Sequence, residues 1–233
     1  MVAVLARARP GDPSDPFETA NRTSYVFSSR LDKAIIRPVA MTYRRVLPRP
    51  IRNAFHNAIG NWDEPVVFVN DILQIRLSDA ARTAGRFVLN STVGVVGILD
   101  VAKSAGLAHH DNGFTITMGR YGVRPGPYLY LPVLGPSSTR DIVGASVDLF
   151  TNPLTAIRHI RSRKVELAQN VVSAVDARAG LEDDLQTLNE TAADPYAFVR
   201  STYQQHIQAQ IAGDEISLDP IPDLAPLPSA PKP

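Results

Sequence analysis

The chain contains no cysteine. That excludes disulfides, thiolate metal sites, a cysteine nucleophile and, within this sequence, a lipid-modified cysteine. Tryptophan occurs once and aromatic residues make up 7%, a sparse supply of stacking faces for nucleic acid. Charge of one sign is also lacking: 24 Lys and Arg against 23 Asp and Glu leave a formal +1, so no overall field points to nucleic acid or an acidic substrate. No apolar run reaches the ~18 uninterrupted residues of a spanning helix. A membrane contact would therefore be made by lying in or on the bilayer. The G-x-S-x-G elbow, the Walker pattern, H-E-x-x-H and an EF-hand loop are all missing. The opening "MVAVLARARPGDP" has no long apolar core and no small-residue cleavage site, so it does not read as a signal peptide.

What is present is a near-ordinary globular balance, 44% hydrophobic and 20% charged over 233 residues, sufficient for one large domain or two small ones. An acidic or amide residue followed by proline recurs at Asp15-Pro16, Glu64-Pro65, Asn152-Pro153 and Asp194-Pro195. Proline tolerates the first helical position, where its missing N–H had no partner anyway, and Asp or Asn before it can cap the orphan amides. At Asp15, Glu18 adds a capping-box spacing. The periodicity then predicts a helix from Phe17 to a stop at Pro38, with short helices over 39–46 and 51–59. The segment Pro65–Gln74 fits a buried helix or a strand. Ser78 reads as a cap for the next helix, and Ser137 or Ser138 as a cap for "TRDIVGASVDLF". A long helix spans Leu154–Ala179 and is closed by Gly180. A last helix runs from Pro195 to about Ala212, with Gly213 behind it. No run alternates convincingly as a half-buried strand. The fold class is mainly α, built of short kinked helices with irregular Gly/Pro-rich loops. Residues 1–13 and the proline-rich tail 214–233 flank a single helical domain, 14–213.

Candidate sites are few. His109-His110-Asp111 has metal-ligand residue types, but adjacent histidines point different ways, and an exposed polar turn explains them. Ser137, Ser138 and Thr139 at a helix start suit a plain cap, or a phosphate on free amides, and Arg140-Asp141 beside them suits a surface or intradomain ion pair, or a headgroup contact. Two basic stretches, one with Arg37, Arg44, Arg45, Arg49 and Arg52 and one with Arg158, Arg161, Arg163 and Lys164, suit either a solvated helix face or anionic headgroups. "GRFVLNSTVGVVGILDVA" is the most apolar stretch, a core helix and turn in a soluble protein or a close-packing segment in apolar surroundings. "YGVRPGPYLYLPVLGPSSTRD" is greasy, stiff and too broken for a helix.

These stretches, with "DPFETANRTSYVFSSRLD", "RPVAMTYRRVLPRPIRNAFHNAIGNWDEPVVFVNDILQ" and "ADPYAFVRSTYQ", resemble the MlaA (VacJ) family in order and spacing. There are departures: Ala20 stands where an apolar or aromatic residue is usual, and Gly113–Gly119 differs from the usual Asp-Phe-Gly-Gln-Thr-Leu-Gly. The lipid-attachment cysteine and its signal are absent from this sequence, which leaves the mode of anchoring open. The resemblance implies a ring of helices in the periplasmic leaflet of the outer membrane of Gram-negative bacteria. It implies non-enzymatic removal of mislocalised phospholipid from the outer leaflet, through an amphipathic passage, to a soluble periplasmic lipid carrier (MlaC-like). A trimeric porin is implied as a partner, with no cofactor, no metal and no nucleic acid. On that reading Tyr121, Val123, Pro125, Pro127, Tyr128, Leu129, Tyr130 and Leu131 form the passage wall or its rim, or else a rigid loop bracing helices. Arg44, Arg45, Arg49 and Arg52 meet headgroups or the membrane surface. The competing reading is a helical, porin-bound scaffold without its own passage; a lipid hydrolase would need a nucleophile and base in reach, and no spacing suggests the pair.

Overall fold

A computed structural model describes residues 15–152 and 163–213, with backbone alone for 163–169. In order, the elements are α1 (Glu18–Leu31), a π turn (Asp32–Ile36), α2 (Arg37–Val46), α3 (Arg49–Leu73), α4 (Leu77–Thr92), α5 (Val101–Ser104) and α6 (Phe114–Arg120). A two-stranded hairpin follows, β1 (Tyr128–Leu131) and β2 (Gly135–Ser138), then α7 (Thr139–Thr151), α8 (Arg163–Gly180), α9 (Glu182–Thr191) and α10 (Pro195–Ala212). The expectations for the two chain ends, for the beginning of the long helix after Asn152-Pro153, and for the second basic stretch lie outside the described residues.

The packing closes on itself. α3 packs on α8, α8 on α2, α2 continues through the π turn into α1, α1 packs on β1, β2 on α10, α10 on α6, and α6 on α3. α4 lies along α3 and α7 along α6. The expected mainly helical ring is therefore present as a circuit of neighbours.

Several boundaries differ from the sequence-based expectation, each for a local reason. Pro38 does not stop α1; the π turn takes up the extra residue and delivers Pro38 to the second position of α2, where no N–H is needed. Glu64-Pro65 starts nothing. Pro65 sits inside the 25-residue α3, and a cap there is replaced by a buried Glu64 serving tertiary partners. Asp15 does not cap with its side chain, and Glu18 pairs with Arg22 (2.7 Å) rather than closing a box. Ser78 lies inside α4, whose N-cap is Arg76. Gly180 is the last helical residue of α8, not a left-handed cap, because the chain turns almost directly into α9. Ser138 caps α7 by accepting the Asp141 N–H, and Asp194 caps α10 by accepting that of Ala197. Gly213 takes φ 81° behind α10, as expected.

The hairpin was not expected. Proline is compatible with it because Pro136 lies opposite Tyr130, and the Tyr130 N–H is used elsewhere, on Asn21 Oδ1 at 2.9 Å. The ladder loses nothing there.

The distribution of polarity is inverted. Among the described residues, the buried apolar side chains are few and mostly small, such as Ala40, Ala80 and Ala102. The large fully buried ones are Glu64, Asn70, Thr83, Asp15 and Asp71. Phe17, Phe27, Val96, Leu134 and Phe150 are exposed. α3 shows the inversion within one helix: Asn61, Glu64, Asn70 and Asp71 face inward, while Phe68, Ile72 and Leu73 face out. The apolar Val93–Leu99 stretch is likewise surface, not core. No helix among the described residues is long and apolar enough to cross a membrane.

Candidate functional site

The inward polar face of α3 organises the interior. Arg86 of α4 donates from Nε to Glu64 Oε1 at 2.6 Å, from Nη2 to Asp100 at 3.2 Å, and from Nη1 to the Leu107 carbonyl. Asn90 donates to Asp100 at 3.0 Å and accepts the Ala102 N–H at 2.9 Å. These bonds fasten the 100–107 segment to α3 and α4. Two α3 turns further on, Asp71 receives Thr83 Oγ1 (2.8 Å), Asn112 Nδ2 (2.7 Å) and His110 Nε2 (3.0 Å). Asn70 donates to Asp148 of α7 at 2.9 Å and accepts from Thr117 of α6 at 2.8 Å. Asp148 also accepts the Phe114 N–H at 2.9 Å. Of the side chains named, Glu64 keeps one buried oxygen, Oε2, without a partner among the described residues; the other buried polar atoms are satisfied, as a stable polar core requires.

The exposed polar segment is present, with His109 and Asp111 exposed and His110 half-buried, and its two histidines anchor it. They diverge, as adjacent histidines must, but each strap is fastened to a carboxylate of α3: His110 to Asp71, and His109 Nδ1 to Glu64 at 3.2 Å, with its Nε2 3.2 Å from Asp111. Hydrogen bonds to Asp111 and Glu64 push the His109 pKa up to about 9, so the ring is cationic at neutral pH. His109 in turn holds Asp111 below the usual carboxylate range. Burial works against charge on Asp71, but His110, Asn112 and Thr83 outweigh it and hold it low. Asp63 has no such support, and burial pushes it up to about 6.

Cavities surround this strap. One of about 650 Å³ lies between α3, α6, α7 and α10 and is walled by Asp63, Asp148, Val67, Ile116, Leu149 and Ile207, among others. A second, of about 1040 Å³, shares Gly60, Asp63, His109 and Asp111 with it and opens between α3 and α4. A third, of about 730 Å³, shares His109, Asp111, Asn112 and Ile116 with the first. The three cavities share His109 and Asp111 as wall, and their lining mixes carboxylates with aliphatic groups. It suits an amphipathic guest.

The residues singled out in the Gly/Pro-rich segment divide. Tyr128 is buried, and its ring centroid lies 6.2 Å from Tyr196 and 5.9 Å from Tyr203. Tyr130 packs edge-on to Tyr25 at 5.3 Å, and burial pushes its hydroxyl up to about 12. Leu129 and Leu131 are half-buried in the hairpin, and Pro127 is half-buried before it. Tyr121 and Val123 are exposed, although the Tyr121 hydroxyl donates to the Leu73 carbonyl at 2.6 Å. Pro125 lines a further cavity beside Tyr128. The hairpin thus braces helices at its base and touches a cavity, while its tip, Val133 and Leu134, projects outward.

The basic residues divide as well. Arg44 turns inward to the Ala179 carbonyl (3.3 Å) and to Asp183 (3.6 Å). Arg37 pairs with Glu182 at 2.6 Å. Arg45 and Arg49 are exposed and Arg52 is half-buried. Much of the cationic face of α2 is thereby matched to the acidic end of α8 and α9.

Sequence reasoning missed how its most distinctive motifs cooperate. Asn21 donates to Asp15 at 2.7 Å and to the Tyr128 carbonyl at 3.0 Å while accepting from Tyr130 N–H. The Tyr196 hydroxyl donates to Asp15. Arg22 forks onto Asp194 at 2.8 and 3.1 Å and lies 4.5 Å over the Tyr196 ring. "DPFETANR" and "DPY" each open a helix, and together with the hairpin they also form one latch. The signal available was a buried-type Asn beside Arg in an otherwise ordinary helix opening.

These features define a helical protein with polar groups and cavities inside and apolar side chains outside, the reverse of a water-soluble globule. The family profile described as "MlaA lipoprotein" matches residues 13–210, and the chain belongs to that family. It is 35% identical over 207 residues to the intermembrane phospholipid transport system lipoprotein MlaA of Escherichia coli (strain K12), covering 87% of this chain and 80% of that protein. An uncharacterized protein of Rickettsia bellii is 32% identical over 198 residues, 84% of this chain and 76% of that one. A solved structure described as the structural basis for maintenance of bacterial outer membrane lipid asymmetry superposes with a TM-score of 0.77 at 34% identity, covering 85% of this chain and 99% of that chain.

Proposed function

We propose that this protein carries phospholipid between membranes, taking mislocalised molecules from the outer leaflet of the outer membrane and so maintaining lipid asymmetry. The observation that carries this reading is the inverted polarity: cavities with a mixed carboxylate and aliphatic wall inside an exterior of exposed Phe, Val and Leu. A lipid moving through water exposes its chains at about 0.8 kcal/mol per methylene; a continuous amphipathic path removes most of that barrier. The interior polar groups receive the headgroup and the aliphatic wall receives the chains. The apolar exterior seats the ring in the periplasmic leaflet, so that only outer-leaflet lipid enters from above. No bond is made or broken, and the protein acts without a cofactor and not as an enzyme. A soluble periplasmic carrier receives the lipid, and a trimeric outer-membrane porin holds the ring in place.

The test is extraction of the purified protein for bound phospholipid, together with outer-leaflet phospholipid measured in cells carrying Pro125→Ala and Pro127→Ala. Bound intact phospholipid and impaired clearance in a folded variant are expected. Protein free of lipid, with normal clearance in the variant, would leave only a porin-bound scaffold; lysolipid or free fatty acid in the extract would point to a hydrolase.

A further inference from the structure

Where the hairpin, the start of α7 and α10 meet lies a separate cavity of about 470 Å³, touching the first one across Tyr203 and Ile207. Its wall includes Arg124, Tyr128, Ser138 and Arg140. Two of these carry buried, unused donors. Tyr128 is 2% exposed and its hydroxyl has no partner among the described residues. Arg140 is 7% exposed; its Nη1 donates to the Val123 carbonyl at 3.0 Å, its Nε has no partner, and it makes no ion pair among the described residues. Burying a guanidinium without a counterion is costly, and a buried hydroxyl without an acceptor adds to the cost. Both residues line this one cavity, and neither donor has an acceptor among the described residues, although Asp141, with its unpartnered carboxylate, is the next residue along α7. Arg124 stands at the same cavity, exposed and without an ion pair among the described residues.

The amides of α7 are not the attraction. The Arg140 N–H donates to the Pro125 carbonyl at 3.2 Å and the Asp141 N–H to Ser138 Oγ at 3.3 Å, so that helix start is already closed. The side chains make the site. We infer that this cavity is an anion subsite for a phosphate ester, with Arg140 and the Tyr128 hydroxyl donating to its oxygens and Arg124 adding charge at the mouth. A guanidinium fork beside a hydroxyl donor matches the several oxygens of a phosphate better than a single-point acceptor. The remaining wall, with Pro125, Gly126 and Ile207, accepts the ester's carbon skeleton. As part of the lipid-passage reading, on which the headgroup source rests, this is where a phospholipid's phosphodiester pauses while its chains follow the neighbouring cavity; free phosphate shares the same chemistry.

The experiment titrates the full chain, purified in phosphate-free detergent, with inorganic phosphate and separately with dihexanoylphosphatidylglycerol below its micellar concentration. Calorimetry supplies the affinity and the Arg140 Nε–H resonance supplies the location. Tyr128→Phe and Arg140→Gln should each weaken binding by about tenfold or more, the worth of a hydrogen bond to a charged group. Tyr128→Phe should leave the melting temperature unchanged, because the hydroxyl has no protein partner to lose. Loss confined to the lipid probe identifies the headgroup as the source, and equal loss for both probes identifies phosphate in general; each supports the subsite. Affinities for both probes that neither variant changes, or an unmoved Arg140 resonance, would overturn it, even where lipid clearance continues and the passage itself stands. Should Arg140→Gln fail to fold, Tyr128→Phe decides alone.

Discussion

Replacing Arg86 by methionine removes the cation that joins Glu64, Asp100 and the Leu107 carbonyl while keeping most of the side chain's volume. Glu64 and Arg86 are both almost completely enclosed, 1% and 5% exposed at the side chain. Glu64 would retain His109, 3.2 Å away and 38% exposed, a weaker substitute than a guanidinium at 2.6 Å. Removing one member of a buried pair leaves its partner desolvated and unpaired, at a cost of about 3–5 kcal/mol. The His109 bond should hold the loss toward the lower end, about 3 kcal/mol. Removing both charges, with Glu64→Leu and Arg86→Met together, should cost less than the sum of the single changes, since the stranded carboxylate is gone. Denaturant unfolding of all four proteins in detergent gives the coupling energy directly. A loss below about 1 kcal/mol for Arg86→Met, a value typical of an exposed pair, would refute the claim that the polar interior holds the ring together. Additivity of the two single changes would refute it equally.

Three further outcomes follow from the same geometry. Asp63→Asn should stabilise the protein modestly at pH 7, since burial raises the carboxyl from 3.8 to about 6 while its exposed surface lets water screen much of that shift. The folded-state pKa lies above the unfolded one, so the penalty grows from pH 4 to 6 and is constant above; melting curves of the two proteins should converge below pH 4. Gly126→Ala should cost about 1–3 kcal/mol, because Gly126 has φ 73° and an added Cβ would overlap Thr139 Oγ1, which donates to the Pro125 carbonyl at 3.0 Å; an unchanged unfolding midpoint would contradict this. Val95→Asn with Val96→Asn should lower retention on phospholipid vesicles while leaving the melting temperature in detergent equal or higher, since both positions have positive φ and are exposed; unchanged vesicle retention would show that this turn does not meet the bilayer.

The helical class was legible because proline and glycine punctuation is local: Asp194 and Ser138 cap as their positions suggest, and Gly213 closes α10 with a left-handed turn. Local rules failed where tertiary demand took the residue. Asp15 and Glu64 look like caps beside proline, yet both are drawn into buried ion and hydrogen-bond networks with partners far along the chain, Tyr196 and Arg86. The hairpin was hidden because its proline sits at a place where the ladder needs no donor. Of the candidate site, the Gly/Pro-rich segment was visible as unusual. Arg140 was visible only as half of an Arg140-Asp141 pair that suits a headgroup or an ion pair, and the two make no ion pair among the described residues; Asp148 was not visible, because a mid-helix aspartate is ordinary until burial is known.

The surrounding medium can be argued from the backbone. The non-glycine residues with positive φ among those described are Ile75, Val95, Val96 and Val133, all β-branched and all exposed. Such a conformation costs of order 1–3 kcal/mol each, and in water a glycine or asparagine would avoid it at no loss, since an exposed valine gains nothing there. In hydrocarbon the balance changes, because the branched side chain is then solvated and shields the peptide groups beneath it. Those peptide groups are also provided for: every N–H from Gly94 to Leu99 donates to a backbone carbonyl within the same turn or the end of α4, at 2.7–3.4 Å. An irregular surface turn in water has no need to satisfy six consecutive donors internally, whereas at a bilayer each unsatisfied one is costly. Strain accepted for apolar cover and complete internal bonding at the same turn are the combination expected of a segment that faces acyl chains while its helix presents Asn90 and Arg86 to the polar interior.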